Sequence, residues 1–126
     1  FLGRLTAALA DGRLTVVPVA FYNSPLAWWD MPPGLARDLA RAALVIVKGD
    51  ANYRRLVGDR HWPHDTPWAS VVGYFPAPLL SLCTCKSGVI VGLCVADEAR
   101  AQAAAADWLV AGEYAVAPFF APTAAV

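Results

Sequence analysis

The sequence predicts an α/β fold, three layers of α/β/α around a mostly parallel sheet, present here as an incomplete domain. Three observations lead there. The continuous apolar run from Ala43 to Val47 has the signature of a parallel strand buried on both faces. Strand-like and helix-like segments alternate along the chain, the pattern of a layered α/β sheet. The hydrophobic fraction of 58% and mean hydropathy of +0.46 exceed the roughly 45–50% apolar usage of ordinary domains. Part of that excess is small alanines such as Ala101 to Ala106, and the rest implies apolar surface meant for a partner or for a further part of the same domain.

Taken in order, residues 2–10 read as a short helix stopped by Asp11-Gly12. Leu14 to Val17 reads as a strand on its β-branched content. Residues 21–34, FYNSPLAWWDMPPG, read as a loop: three prolines, an Asn-Ser pair and a glycine break regular structure, and Phe21, Tyr22, Trp28 and Trp29 pack it down. Apolar residues at 35, 36, 39, 40 and 43 have helical spacing, so a helix is expected over Leu35 to Ala42. After the strand at Ala43–Val47, a helix is expected from Ala51, then a proline-bearing loop from His61 to Pro67. Pro78–Cys83 and Val89–Leu93 read as two more strands, Ala96–Leu109 as an alanine-rich helix, and Tyr114–Ala117 as a last strand. The tail, FFAPTAAV, carries no clear signal.

Bulk properties narrow the function classes. The chain has 126 residues, enough for one small domain. No apolar run reaches the ~18 residues of a membrane span, and the N-terminus lacks the order of a signal peptide. Starting with Phe suits a processed or truncated chain. Formal net charge is zero with no basic stripe, so nucleic acid is not the expected partner. Three cysteines make no disulfide framework and suit a reducing cytoplasm.

Charge is crowded in one place. Only 16% of residues are charged, yet KGDANYRRLVGDRH follows the central apolar run directly. Ligands of α/β sheets gather beyond the carboxyl ends of strands. Asp50 at such an end fits a metal ligand or catalytic acid for Mg²⁺ or Mn²⁺, and it equally fits a helix cap. Asn52 and Arg54 are candidates for the same side, with Arg suited to phosphate. Arg55 is expected to pair with Asp59 four residues on, as an ordinary helix surface. Thr84 and Lys86, in CTCKSG, mark a second strand end, where Lys86 is either a phosphate binder or a solvated lysine. A zinc site from His61, His64, Cys83 and Cys85 is the rival constellation, but its spacings match no standard finger or ribbon, and C-x-C on a strand places both thiols on one packing face. No Walker loop, G-x-G-x-x-G, G-x-S-x-G or H-E-x-x-H is present.

KGDANYRRLVGDRHWPHDTPW, residues 48–68, resembles the KGDxNYRxLxGDRxW segment of the metal-dependent damage-control phosphatases, in the branch related to acidic-residue methyltransferase-like proteins. VVPVAFYNSPLAWWDM resembles that family's strand and aromatic loop, FPAPLLSLCTCKSGVIVGL its PxPLLxLRTxK segment followed by an apolar strand ending in Gly-Leu, and Trp108, Gly112 and Tyr114 its closing pattern. The likeness runs over residues 5–116. It implies a phosphatase of small phosphometabolites such as sugar phosphates, working with Mn²⁺, Co²⁺, Ni²⁺ or Mg²⁺. It implies that Asp50 is a metal ligand, that Lys86 contacts the substrate, and that Thr84 falls in the same motif. Some relatives are described as carboxyl methyltransferases acting on acidic side chains, for which no cofactor motif appears here. The family's Asp-Asn metal pair lies upstream of anything in this chain, so the resemblance implies the C-terminal portion of a single domain, partnered by its N-terminal part. The family's Arg of RTxK is Cys83, and the acidic residue two after its Lys is Gly88. A non-catalytic remnant, or a subunit that binds a partner, is the alternative.

Overall fold

The computed structural model describes residues 1–122; residues 123–126, the end of the unassigned tail, lie outside the described residues. The architecture is mixed α/β, a small open sheet with helices packed on one face. Helix α1 (Leu2–Ala10) ends where Gly12 takes φ +77°, as the Asp-Gly pair predicts. The segment after it departs from expectation. Leu14–Val17 forms no strand, and Val16 is 77% exposed. β-branched content favours an extended backbone, but a strand also needs a neighbour to accept its hydrogen bonds, and none lies beside this segment among the described residues.

Residues 20–34 form the expected loop, folded into two short 3₁₀ turns at Ala20–Asn23 and Trp28–Asp30. Phe21 and Trp28 are buried edge to face, with centroids 5.6 Å apart. Helix α2 (Pro33–Leu39) begins with proline at its first position, where a missing N–H costs nothing.

Strand β1 (Val45–Lys48) pairs in parallel with β2 (Leu79–Thr84), as the apolar run predicts, with Val45 opposite Leu79 and Lys48 opposite Leu82. The connection carries α3 (Asp50–Leu56) and α4 (Trp68–Val72), the helical crossover that a parallel pair requires. Helix α4 had no counterpart in the sequence reading, being only five residues long. Tyr53, Leu56, Trp68, Val71 and Val72 from these helices share one core with Val47, Leu79 and Cys83. The expectation that β1 is buried on both faces needs correction: Val47 is buried, but Ile46 is 57% exposed. The buried residues of the pair are the odd-numbered Val47, Leu79, Ser81 and Cys83, on the side of the core to which α3 and α4 contribute.

Beyond β2 run β3 (Ala115–Val116) and β4 (Phe119–Phe120), both antiparallel to it. They share one register, Val116 opposite Cys83 and Phe120 opposite Leu79, so they are a single strand interrupted at Ala117-Pro118. Pro118 lies opposite Ser81 and accepts its N–H at 3.1 Å, but has no N–H to return. The parallel pair is therefore joined by an antiparallel neighbour, half of which, Phe119–Phe120, came from the unassigned tail.

Val89–Leu93 is also not a strand. Val89, Ile90 and Val91 are buried, which is what their apolar character encodes, but the backbone of Val91 is satisfied by a side chain: Tyr53 Oη accepts its N–H at 3.0 Å and donates to its C=O at 3.2 Å. Helix α5 (Val95–Ala104) stops five residues short of the expected end, where Ala105 turns extended at φ −154°.

Candidate functional site

The parallel register brings the carboxyl ends of β1 and β2 side by side, and the charge cluster emerges there. Gly49 continues the ladder, its N–H donating to Leu82 O at 2.8 Å, then turns the chain at φ +100° and ψ 155°, a conformation essentially confined to glycine. Asp50 follows as the first residue of α3. Of the two roles left open by its sequence, the cap is not used: Gly49 occupies the capping position and no side chain caps the helix. The half-buried Asp50 carboxylate instead accepts a hydrogen bond from Ser87 Oγ at 3.3 Å. Ser87 was missed from sequence; its only signal was its place directly after Lys86.

Lys86 is exposed, and its Cε passes 3.9 Å from the position a Cβ would take on Gly112. The contact of Ser87 with Asp50 brings the segment after β2 against the start of α3, and Lys86 immediately precedes that contact in the chain. Thr84 points to the other side. Its alternation with buried Cys83 and Cys85 puts it on the uncovered face of the sheet. There a shallow cavity of about 230 Å³ is lined by Lys48, Gly49, Leu82 and Thr84. A larger cavity of about 630 Å³, between α5 and the β3 edge, contains none of Asp50, Asn52, Arg54, Thr84 or Lys86.

Asn52 turns back rather than outward: its Nδ2 donates to Lys48 O at 3.2 Å, helping to close the strand-to-helix turn. Arg54 grips Asp59 with both arms of its guanidinium, at 2.6 and 2.8 Å. The expected Arg55–Asp59 pair is therefore corrected. Helix α3 ends in a Schellman motif, with Asp59 N–H to Arg54 O at 2.7 Å and Gly58 N–H to Arg55 O at 3.4 Å. That reversal folds Asp59 back over Arg54. The pairing holds the Asp59 carboxyl below its usual range and raises the Arg54 pKa further, with the charge of Asp50 a smaller contributor to the latter.

Arg55 has a different task. It donates to the carbonyls of Leu26 (2.6 Å), Phe21 (2.9 Å) and Tyr22 (3.0 Å), and lies over the rings of Phe21 and Trp28 at 4.8 and 5.3 Å. It fastens the aromatic loop to the helix that carries Asp50. The last carbonyls of α3 are taken by Tyr74 Oη, to Leu56 O at 2.8 Å, and Trp62 Nε1, to Val57 O at 2.9 Å. Gly58, at φ +70°, lets Trp29 close down: a Cβ there would meet Trp29 Cη2 at 1.8 Å. Gly58→Ala is expected to lower stability by about 1–2 kcal/mol, from the left-handed backbone and the displaced indole together. Thermal unfolding of Gly58→Ala with and without Trp29→Ala checks this, because removing the indole relieves only the second contribution.

The zinc arrangement is not formed. His64 Nδ1 is engaged with Glu98 at 2.6 Å. Cys83 and Cys85 face the core, where burial pushes the Cys83 thiol up to about 11, with the nearby negative charge of Asp50 adding to the shift. Among the described residues no three His, Cys, Asp or Glu side chains converge to hold a metal ion. None of the described helices is long and apolar enough to cross a membrane.

A family model described as the damage-control phosphatase ARMT1-like domain matches residues 1–101. The chain is 36% identical over 115 residues to the mouse protein named damage-control phosphatase ARMT1, covering 88% of this chain and 26% of that protein. Its similarity to the cattle protein of the same name is 37% over 115 residues, with the same coverage. Against the Xenopus laevis protein it is 41% over 85 residues, covering 67% of this chain and 19% of the relative. The chain thus spans about a quarter or less of the length of these relatives.

Proposed function

The chain belongs to the damage-control phosphatase ARMT1-like family, and from that premise we propose that it forms one wall of a phosphatase site for small phosphorylated metabolites such as sugar phosphates. The observation that carries this reading is the contact of Asp50 with Ser87, the residue after Lys86, at the adjacent carboxyl ends of two parallel strands. Lys86 is exposed and free to place its ammonium against phosphoryl oxygens, where a cation counts most as negative charge develops in the transition state. Arg54 is already engaged by Asp59 in a net-neutral pair, so it would reach a phosphate only if that pair opened. Asn52 fixes the turn from which Asp50 projects. Thr84, on the uncovered face, would meet the substrate only through groups that lie over that face.

A divalent metal of the family's kind, Mn²⁺, Co²⁺, Ni²⁺ or Mg²⁺, needs several hard oxygen ligands. This chain offers Asp50 as its one carboxylate at the strand ends, so its described residues do not by themselves fit a complete metal site. The remaining ligands would come from the domain's N-terminal part. The same observation favours a second reading, in which this chain is a non-catalytic remnant or a partner-binding subunit.

The two readings separate in one assay. The chain is mixed with the remainder of the mouse relative, and phosphate release from a panel of sugar phosphates is followed with Mn²⁺ present. Phosphatase function is expected to show turnover that falls about 100-fold in kcat/KM for Lys86→Ala and at least tenfold for Asp50→Asn, with unchanged thermal midpoints. Turnover indifferent to both substitutions, or none at all, would overturn the reading.

A further inference from the structure

With the zinc arrangement not formed, His61 is left without a task in the fold. It is exposed, and among the described residues its ring makes no hydrogen bond, whereas His64 Nδ1 meets Glu98 at 2.6 Å. The His61 ring lies beside Gly88. A Cβ at that glycine would stand 3.6 Å from His61 Cε1 and 3.9 Å from its Nδ1, so the imidazole fills the space that a longer side chain at 88 would enter. Ser87, the residue before, meets Asp50 at 3.3 Å. Asp50, Ser87, Gly88 and His61 therefore follow one another through successive contacts, starting at the carboxyl end of β1.

The surroundings of His61 are polar but balanced. Arg54 and Asp59 hold each other at 2.6 Å. The Asp59 carboxyl, kept low chiefly by its hydrogen bond from Arg54, also feels the charge of His61, so the ring is close to that pair. An ion pair whose charges cancel offers little to a second anion. An imidazole, with one ring nitrogen donating and the other accepting, suits a hydroxyl group.

We propose that His61 is a specificity-determining residue of the candidate site, hydrogen-bonding a hydroxyl on the organic part of a polyhydroxylated monophosphate whose phosphate lies toward Lys86. The inference rests on the phosphatase reading for the place of the phosphate. It adds a residue to which the family resemblance gives no role, and it favours a monophosphate over a bisphosphate.

The test is a titration of this chain with glucose monophosphate, a hexose bisphosphate and inorganic phosphate, followed by NMR of the backbone amides and the histidine rings at one fixed pH. The His61 ring is expected to shift saturably with glucose monophosphate. The His64 ring, engaged by Glu98 and packed edge-on against Trp108, is expected to stay still. His61→Ala should weaken binding of glucose monophosphate about fivefold, the size of one neutral hydrogen bond, and leave that of inorganic phosphate unchanged. His61→Asn keeps a donor and an acceptor and should recover most of the loss. The side chain is exposed, so neither variant should move the thermal midpoint. The inference is overturned, with the phosphatase reading left intact, by a His61 ring that stays still while the Ser87 and Gly88 amides respond. A His61→Ala loss shared equally by inorganic phosphate, or tighter binding of the bisphosphate, overturns it in the same way. No saturable response at Lys86, Ser87, Gly88 or His61 overturns it as well, and the turnover assay above then decides separately whether the phosphatase reading falls with it.

Discussion

Arg55→Ala is expected to cost about 3–5 kcal/mol, the largest effect of any single side chain outside the deep core. Its guanidinium serves three carbonyls of the aromatic loop at 2.6–3.0 Å and covers two aromatic rings. Hydrogen bonds from a charged donor contribute roughly 1.5–3 kcal/mol each when they are removed singly. They are not additive here, because water can reach part of the loop once the arginine is gone. Burial lowers the pKa of Arg55 but leaves it cationic at any ordinary pH. The loss should therefore be the same at pH 6 and pH 9. Arg55→Lys keeps the charge without the planar fork, so it should recover less than half of the loss. Urea unfolding followed by tryptophan fluorescence measures all three forms. A midpoint for Arg55→Ala within error of the unmutated chain would show that the loop is held by Phe21 and Trp28 alone.

Tyr53→Phe is expected to cost roughly 2–4 kcal/mol, although it removes a single oxygen atom. The Tyr53 ring is fully buried and stacks on Trp68 at 5.6 Å and 15°. Phenylalanine would keep that stacking. The hydroxyl, however, is the partner of both backbone groups of Val91, and Val91 is itself 1% exposed. Each buried backbone group left unpaired costs about 1–3 kcal/mol. Hydrogen exchange distinguishes this from a general loosening: protection at the Val91 amide should collapse, while that of the β2 amides falls only with global stability. Burial also pushes the Tyr53 hydroxyl far above the ordinary phenol range, so it stays protonated and keeps both bonds through alkaline pH.

Both residues belong to the stretch KGDANYRR, which shows what can be read in one dimension. The accumulation of charge after an apolar strand was placed by the parallel pair at a strand's carboxyl end, as expected. The division of labour within that stretch was not legible. Successive helical residues point about 100° apart, so Arg54 and Arg55 face different surroundings. Which of them meets Asp59 depends on the Schellman reversal at Gly58, a feature of backbone φ rather than of charge spacing. Ser87 carried no signal beyond its place after Lys86, because its role comes from a contact with Asp50 across 37 residues of sequence.

The misplaced strands share one physical cause. Val89–Val91 and Leu14–Val17 have the composition of strands, but composition encodes burial and backbone preference, not the presence of a ladder partner. The first is buried and bonded to a tyrosine; the second has no strand beside it among the described residues. Phe119–Phe120 is a strand that composition did not announce, since Pro118 cuts its pairing into two residues on either side of a gap, too short for alternation to show.

The sequence by itself determined the α/β class, the parallel strand that ends before Asp50, and the family, because each depends on local pattern or on motif spacing along the chain. Only the tertiary structure decided that Arg55 is a clamp, that Tyr53 closes the backbone of Val91, that Asp50 answers to Ser87, and that one face of the sheet stands open. Those outcomes depend on which groups meet across tens of residues, and a hydrogen bond or an uncovered face exists only once the neighbouring elements have taken their places.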